Sequence, residues 1–305
     1  MERVLYWLAS GVVGLLQALP LRWVVRLGRW GGGLAYWLDG RHRRVALANL
    51  AKCFGETVPA RDRRAIALEN FKRIGENFAA AVRTAAMTSE EIAAVLRVVG
   101  AEEVLHGRAG APSYIMALGH FGHFELYARG SRWVPGYQFA TTYRALRQPS
   151  LNRLLQKVRE RSGCLYFERR REMSALREAV RGGKIVVGFL ADQHAGDRGL
   201  PVPFFGELCS TTTAPAVFAL RYGCPLYVAI CYRAGLGQWR IEVGPEIATH
   251  HNGKARSIED ITRDMNRAFE QAIRRDPANW FWVHERWKPG KYRRRAVALQ
   301  DQGVL

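Results

Sequence analysis

Acidic side chains are scarce in this 305-residue chain, with 27 Asp and Glu against 46 Lys and Arg, a net charge of +19. That imbalance directs the surface toward polyanions: nucleic acid, anionic lipid headgroups or an acidic protein carrier. Cysteines are few and never closely paired. Cys53, Cys164, Cys209, Cys224 and Cys231 make no C-x-x-C motif, which argues against a secreted-type disulfide framework and a structural zinc site and leaves reduced, buried thiols in a cytosol-facing protein. Gly and Pro show no period and there is no low-complexity run or internal repeat, so collagen-like, linker-dominated and solenoid architectures are excluded. Helix-turn-helix, ribonucleoprotein and zinc signatures are missing as well. The basic residues are spread throughout, so a nucleic-acid-binding protein has charge in its favour but no motif.

Long apolar runs are also lacking, with one exception. From Val4 to Leu21 no charged residue occurs. The stretch is only just long enough to cross a bilayer, and Gly11, Gly14, Gln17 and Pro20 weaken it. Trp7, Trp23, Trp30 and Trp37 are placed like interfacial aromatics, and Arg22, Arg26, Arg29, Arg41, Arg43 and Arg44 follow, against Arg3 before. By the positive-inside rule the remainder faces the cytoplasm. The reading is membrane anchoring or dipping, with a buried core helix as the alternative. A cleaved signal peptide is disfavoured by the barely basic start and the lack of an A-x-A site.

Residues 45–110 place apolar side chains at helical spacing, with Ser89 as a helix start before Glu90 and Glu91, and read as a helical layer. From about residue 113 the pattern becomes strand, polar tip, helix, repeated. SYIMAL ends at Gly119-His120, YQFATTY at Arg144, IVVGFLA at Asp192-Gln193 and PLYVAICYR at Arg233. Near-continuous apolar strands alternating with helices predict an α/β fold with a mostly parallel, helix-covered sheet. The organisation is then an N-terminal membrane segment over 1–44 and a catalytic domain over 45–305, whose α/β core is 111–305. Ligands of such sheets gather at the carboxyl ends of strands, where His120, Arg144, Asp192 and Arg233 all fall.

LGHFGHFEL is the richest of these edges. His120 and Glu125 stand in an H-x4-E spacing, about 140° apart on a continuous helix. At a strand-loop-helix junction Glu125 can instead reach back to the imidazole and make it a general base. No Ser or Cys nucleophile neighbours the pair, so the base would act on a hydroxyl or water of the substrate. The alternatives are a capping Glu with a loop His, and a metal site using His120, His123 and Glu125 or His194; HxxH is not the HExxH signature, and no metal is expected.

Four blocks in this order, LGHFGHFEL, TTYRALRQPSLNRLL, GFLADQHAGDRGLPVPFFGELCSTTTAPAVFALRYGCPLY and NWFWVHERWK, together with NLAKCFGE and ALENFKRIGENFA in the helical layer, resemble the late acyltransferases of lipid A biosynthesis, bacterial enzymes similar to the lauroyl and myristoyl transferases. The resemblance covers roughly residues 1 to 290. It implies an inner-membrane enzyme with a cytoplasmic active site that moves an acyl chain from acyl carrier protein, or CoA, onto a glycolipid hydroxyl. It implies His120 as catalytic base with Glu125 as its partner. No cofactor and a monomer are expected. Tyr143, Arg144 and Asn152 match the family's second block, with the Arg as a phosphate or headgroup binder. Asp192 and Gln193 match a DQ block that closes the floor of the site or caps a loop; a structural role is favoured, and both are counted with Arg233 in the substrate-binding set. Pro203 to Gly206 match an apolar turn. PANW departs from the commoner PEQW-like run, and His123 and His194 are not hallmarks of the family. Direct attack on the thioester needs donors for the oxyanion, expected from backbone N–H groups just after His120. The same chemistry on another lipid, or hydrolysis by the same pair, is the alternative. The basic run from Lys288 to Arg295 suits either a lipid surface or a carrier protein, or is a solvated tail.

Overall fold

Residues 2–102 and 111–290 are described here from a computed structural model; Lys291 to Arg295 of the terminal basic run lie outside them. The central strands are β1 (Leu96–Val99), β2 (Ser113–Leu118), β3 (Gln138–Tyr143), β4 (Leu165–Glu168) and β5 (Ile185–Leu190). After a separate hairpin of β6 (Leu200–Phe204) and β7 (Glu207–Thr211) come β8 (Leu226–Gly235) and β9 (Gln238–Glu246). The sheet order is β1-β9-β8-β2-β5-β3-β4. β2 pairs in parallel with β5 and β8, and β3 with β5 and β4, while β9 returns antiparallel to β8 and pairs in parallel with β1. The sheet is therefore mixed but mostly parallel. Strands covered on both faces bury nearly every residue, as β5 does from Ile185 to Phe189, and this is why they read as continuous apolar runs.

Alternation along β2 divides the core. Ile115 and Ala117 enter the larger cluster, with Phe269, Ile273 and the tryptophans Trp280, Trp282 and Trp287. Tyr114, Met116 and Leu118 face the other side, beneath a 3-10 helix, Phe124–Trp133. The larger face is covered by α8 (Ala214–Tyr222) and α9 (Ile258–Arg275), and the outer edge by α6 (Pro149–Glu160) and α7 (Met173–Gly182).

The N-terminal part differs from expectation in three respects. Pro20, which lacks an N–H and cannot continue a helix, divides the uncharged run into α1 (Glu2–Ala18) and α2 (Leu21–Leu38). Among the described residues no helix is long and apolar enough to cross a membrane. α1 buries none of its residues, and with α2 it leaves Trp7, Leu8, Leu15, Trp23, Trp30 and Trp37 exposed. Secondly, the helical layer is α3 (Gly40–Phe54), α4 (Ala60–Thr84) and a short α5 (Ser89–Val95), but Leu96–Val99 leaves it as β1. A branched LRVV segment satisfies its backbone better beside β9 than in another helical turn. Thirdly, α5 starts at Ser89 as expected, but its cap is Thr88, whose Oγ1 accepts the Glu91 N–H at 3.2 Å while the Glu91 carboxylate accepts the Thr88 N–H at 2.8 Å.

α2 lies directly on α4. A Cβ built on Gly32 would overlap the Phe71 carbonyl, and one on Gly75 the Gly28 carbonyl. Glycine is needed there for close approach. The contact is locked by a buried charge: the carboxylate of Glu76, fully buried on α4, accepts from Arg29 of α2 at 3.1 Å, from Arg233 of β8 at 2.9 Å and from the Gly237 N–H at 3.1 Å.

Candidate functional site

Parallel register builds the centre of the site. Leu118 of β2 sits opposite Leu190 of β5, so the residues two beyond each strand end, His120 and Asp192, emerge side by side. The His120 N–H donates to Asp192 Oδ2 at 2.8 Å and its Nδ1 meets Oδ1 at 2.8 Å. Trp280 adds an indole N–H to Oδ2 at 2.7 Å. Asp192 is completely buried. Burial pushes its carboxyl up, but the His120 ring, the two His120 hydrogen bonds and the one from Trp280 outweigh that and hold it below the usual range. A carboxylate at Nδ1 keeps the proton there and leaves the lone pair on Nε2. Phe124 and Phe281 flank the ring, at 4.9 and 6.0 Å between centroids.

Glu125 is not the partner that the H-x4-E spacing predicts. The loop after His120 is pinned by the Gly122 N–H on the Asn279 carbonyl at 3.0 Å, with Gly122 at φ +49°. The chain then enters the tight 3-10 turn, which carries Glu125 sideways to α6. There its carboxylate meets Arg159 through both oxygens, at 2.5 and 3.2 Å, a bidentate pair of the kind guanidinium geometry favours. Asp192, expected to be structural, takes the place on the imidazole.

Two cavities meet here. One is apolar and lies under the 3-10 helix, lined along β2 by Leu118, Met116 and Tyr114 and along β5 by Leu190, Gly188 and Val186, with Glu125 and Arg159 at its polar end. A Cβ on Gly188 would come within 2.6 Å of Leu118 Cδ1, so this glycine keeps side chains apart. Tyr114 stands at the far end with Tyr137 and Tyr227 behind it, at centroid distances of 5.0 and 6.4 Å. The other cavity is open and more polar, lined among others by His120, Glu125, Tyr143, Arg144, Gln193 and His284.

Of the remaining expected site residues, Tyr143 and Arg144 lie on this open cavity and on an adjoining groove with Arg147, Arg170 and Arg171. Asn152 is in the groove, where its Oδ1 accepts the Leu146 N–H at 3.0 Å. The Gln193 carbonyl accepts from buried Arg286 at 3.1 Å. Arg233 does not join them: it is spent on Glu76, among α4, α2 and β8. A strand-end position alone did not reveal that its side chain turns to the helical layer. His123 is buried against Trp239, with Nε2 at 2.9 Å from Thr84 Oγ1. Sequence reasoning missed Arg159 and Trp280. Only the aromatic density of NWFWVHERWK signalled the second; nothing marked Arg159 among the many arginines.

Burial lowers His123 to about 3 and His284 to about 4. Unfolded, both titrate near 6.5 and so bind protons that the folded chain refuses; stability is therefore full above that pH and falls as pH drops toward 4. The lowered Asp192 acts in the same direction. We expect the thermal midpoint to fall from pH 7 to pH 4.5 and His123→Gln to flatten that slope; a midpoint that is level over this range contradicts neutral burial.

The family described as bacterial lipid A biosynthesis acyltransferase matches residues 1–289 of the chain. The chain is 28% identical over 289 residues to a lipid A biosynthesis lauroyltransferase of Escherichia coli (strain K12), covering 93% of this chain and 91% of that one. It is 25% identical over 291 residues to a lipid A biosynthesis palmitoleoyltransferase of the same organism, and to a lipid A biosynthesis acyltransferase of Shigella flexneri, with the same coverage of both chains.

Proposed function

Because the chain belongs to the bacterial lipid A biosynthesis acyltransferases and is an acyltransferase, we propose that it transfers a fatty acyl group from a carrier thioester to a hydroxyl of a lipid A precursor, with His120 as the general base. The observation that carries this reading is the His120–Asp192 pair, with His120 on the wall of an open polar cavity that meets an apolar one at Glu125 and Arg159. His120 Nε2 takes the proton of the acceptor hydroxyl, whose oxygen attacks the thioester carbonyl. Asp192 stabilises the imidazolium. On collapse the proton passes to the departing thiolate. No acyl-enzyme is needed in this scheme. Glu125, held by Arg159 where the cavities meet, is assigned to the reacting groups in a different part from the one its spacing suggested: it positions the acceptor. Arg144, with Arg147, Arg170 and Arg171 around the groove, binds phosphate on the glycolipid or on the carrier. The exposed tryptophans and leucines of α1 and α2, beside Arg22 and Arg26, lie in the plane of the cytoplasmic leaflet.

The test is mass spectrometry of products formed from a lipid A precursor with acyl carrier protein or CoA thioesters. Acylated glycolipid supports the reading, and free fatty acid alone, undiminished when the acceptor is omitted, replaces it with a hydrolase. Sedimentation with anionic vesicles checks the surface: Trp7, Trp23 and Trp30 changed together to Ser should lower the bound fraction several-fold at unchanged salt.

The apolar cavity is the acyl site in this scheme. From Leu118 to Tyr114 it runs about 13 Å at roughly 3.3 Å per residue, a depth for a chain of medium length. Tyr114→Ala should shift preference toward longer donors, since each methylene at a closed end is worth about 1–3 kcal/mol, or about 10–200-fold. Competition between donors of different length, read by mass spectrometry, decides this. An unchanged preference places the chain end elsewhere.

A further inference from the structure

The NWFWVHERWK segment lies beside His120 and takes no part in the steps above. Most of it is framework. Trp280 holds Asp192, the Trp282 and His284 carbonyls each accept a hydrogen bond from Asn49 at 2.8 Å, and Arg286, fully buried, reaches the Gln193 and Ser210 carbonyls and Thr211 Oγ1. His284 is different, because its ring lines the open cavity that His120 also lines.

The hydrogen bonding of that ring decides its tautomer. His284 Nε2 lies 3.1 Å from the His194 backbone nitrogen. A peptide N–H can only donate, so Nε2 must accept, and the single proton of the neutral ring sits on Nδ1. Protonating the ring would set two N–H groups against each other. Burial, followed by the charges of His120, Arg286 and His194, opposes it too, against the attraction of Asp192, and lowers the group to about 4. Nδ1–H has no hydrogen-bond partner among the described residues. The two imidazoles of the site are therefore set in opposite senses: His120 turns Nδ1 to Asp192, and His284 holds its proton on Nδ1, away from its Nε2 contact.

We propose that His284 is a catalytic residue that donates its Nδ1–H to the oxyanion formed when the hydroxyl deprotonated by His120 adds to the thioester carbonyl. In that step the new C–O bond forms, the carbonyl π pair moves onto oxygen and the hydroxyl proton goes to His120. The oxyanion accepts a hydrogen bond from His284, which keeps its proton. Reversal of the π pair then expels the thiolate, which takes the proton from His120. A neutral imidazole suits this task, since its proton stays in place and its geometry is set before charge develops. The side chain supplements the backbone donors expected after His120.

The inference rests on the acyl-transfer reading, so wild-type transfer from an acyl thioester to a lipid A precursor is measured in parallel; an inactive wild type counts against that reading, whereas the variants address His284 only. His284→Ala should lower kcat by about 10²–10³, the usual effect of one lost oxyanion donor, with KM for both substrates changed less than about threefold. Thioester hydrolysis without acceptor should slow by the same factor, because the same oxyanion forms. His284→Asn places an amide N–H near the position of Nδ1 and should recover much of the rate, whereas His284→Gln places it near Nε2 and should not. This pair of variants remains decisive if the alanine variant folds poorly. The proposal is overturned by a near-normal kcat in His284→Ala, by a raised acceptor KM with hydrolysis untouched, or by recovery in Gln equal to that in Asn.

Discussion

Asp192→Asn should leave the fold in place and lower kcat by about 10²–10⁴-fold, with little change in KM for either substrate. The native carboxylate accepts three hydrogen bonds, from the His120 N–H, the His120 ring and the Trp280 indole. Asparagine can accept the two on Oδ2, but then its NH2 faces His120 Nδ1. That nitrogen becomes an acceptor, the ring proton moves to Nε2, and the base has lost the lone pair that it needs. The charge that stabilises the imidazolium is lost at the same time. An interaction made mainly in the transition state reveals itself as a fall in kcat rather than a rise in KM. His120→Ala should be at least as severe, and Glu125→Gln, which disturbs the ion pair to Arg159, should weigh more on acceptor KM. Steady-state kinetics over both substrates separates them. If Glu125→Gln instead abolishes kcat and Asp192→Asn does not, the assignment of the imidazole partner is wrong.

The second large effect is on stability. Glu76→Ala takes the shared carboxylate from Arg233 and from Arg29, which keeps only Glu69, and loss of one partner from a buried ionic cluster costs about 3–5 kcal/mol. For a chain of this size that is a fall in thermal midpoint of roughly 10 °C, at about 2–4 °C per kcal/mol. Because the network joins α2, α4 and β8, the loss should be cooperative rather than confined to the N-terminus. Arg233→Met is the companion measurement: it should lower the midpoint by a smaller amount and leave acceptor KM alone. A raised KM with an unchanged midpoint would return Arg233 to the substrate.

Much of the sheet and part of the site were legible in the sequence. Near-continuous apolar runs located most of the sheet, and the polar tips GH and DQ marked two strand ends that parallel pairing brings together. Spacing along the chain favoured Glu125 for His120, because a separation of five residues is visible and one of seventy-two is not. The Asp192 contact depends on β2 and β5 being neighbours in register, a tertiary fact. Arg233 was misread for the converse reason. Its strand was found, although β8 runs two residues further to Gly235, but no periodicity tells which face of a strand terminus a long side chain takes, or that a buried glutamate on α4 waits there. β1 was hidden because four residues after a helix carry too short a pattern to change the period.

That short strand has a consequence for how the chain can be cut. β1 belongs by sequence to the helical layer, yet it is the outermost strand on its side of the sheet and covers β9 from Trp239 to Glu242. A truncation that begins at residue 111 would keep every residue of the His120–Asp192 centre and still strip the hydrogen-bonding rim of β9. An uncovered rim invites pairing with another copy of itself. The shortest soluble fragment that retains the centre must therefore include β1 and the helix that delivers it, so a crystallisable core is set by the edge of the sheet rather than by the limits of the active site.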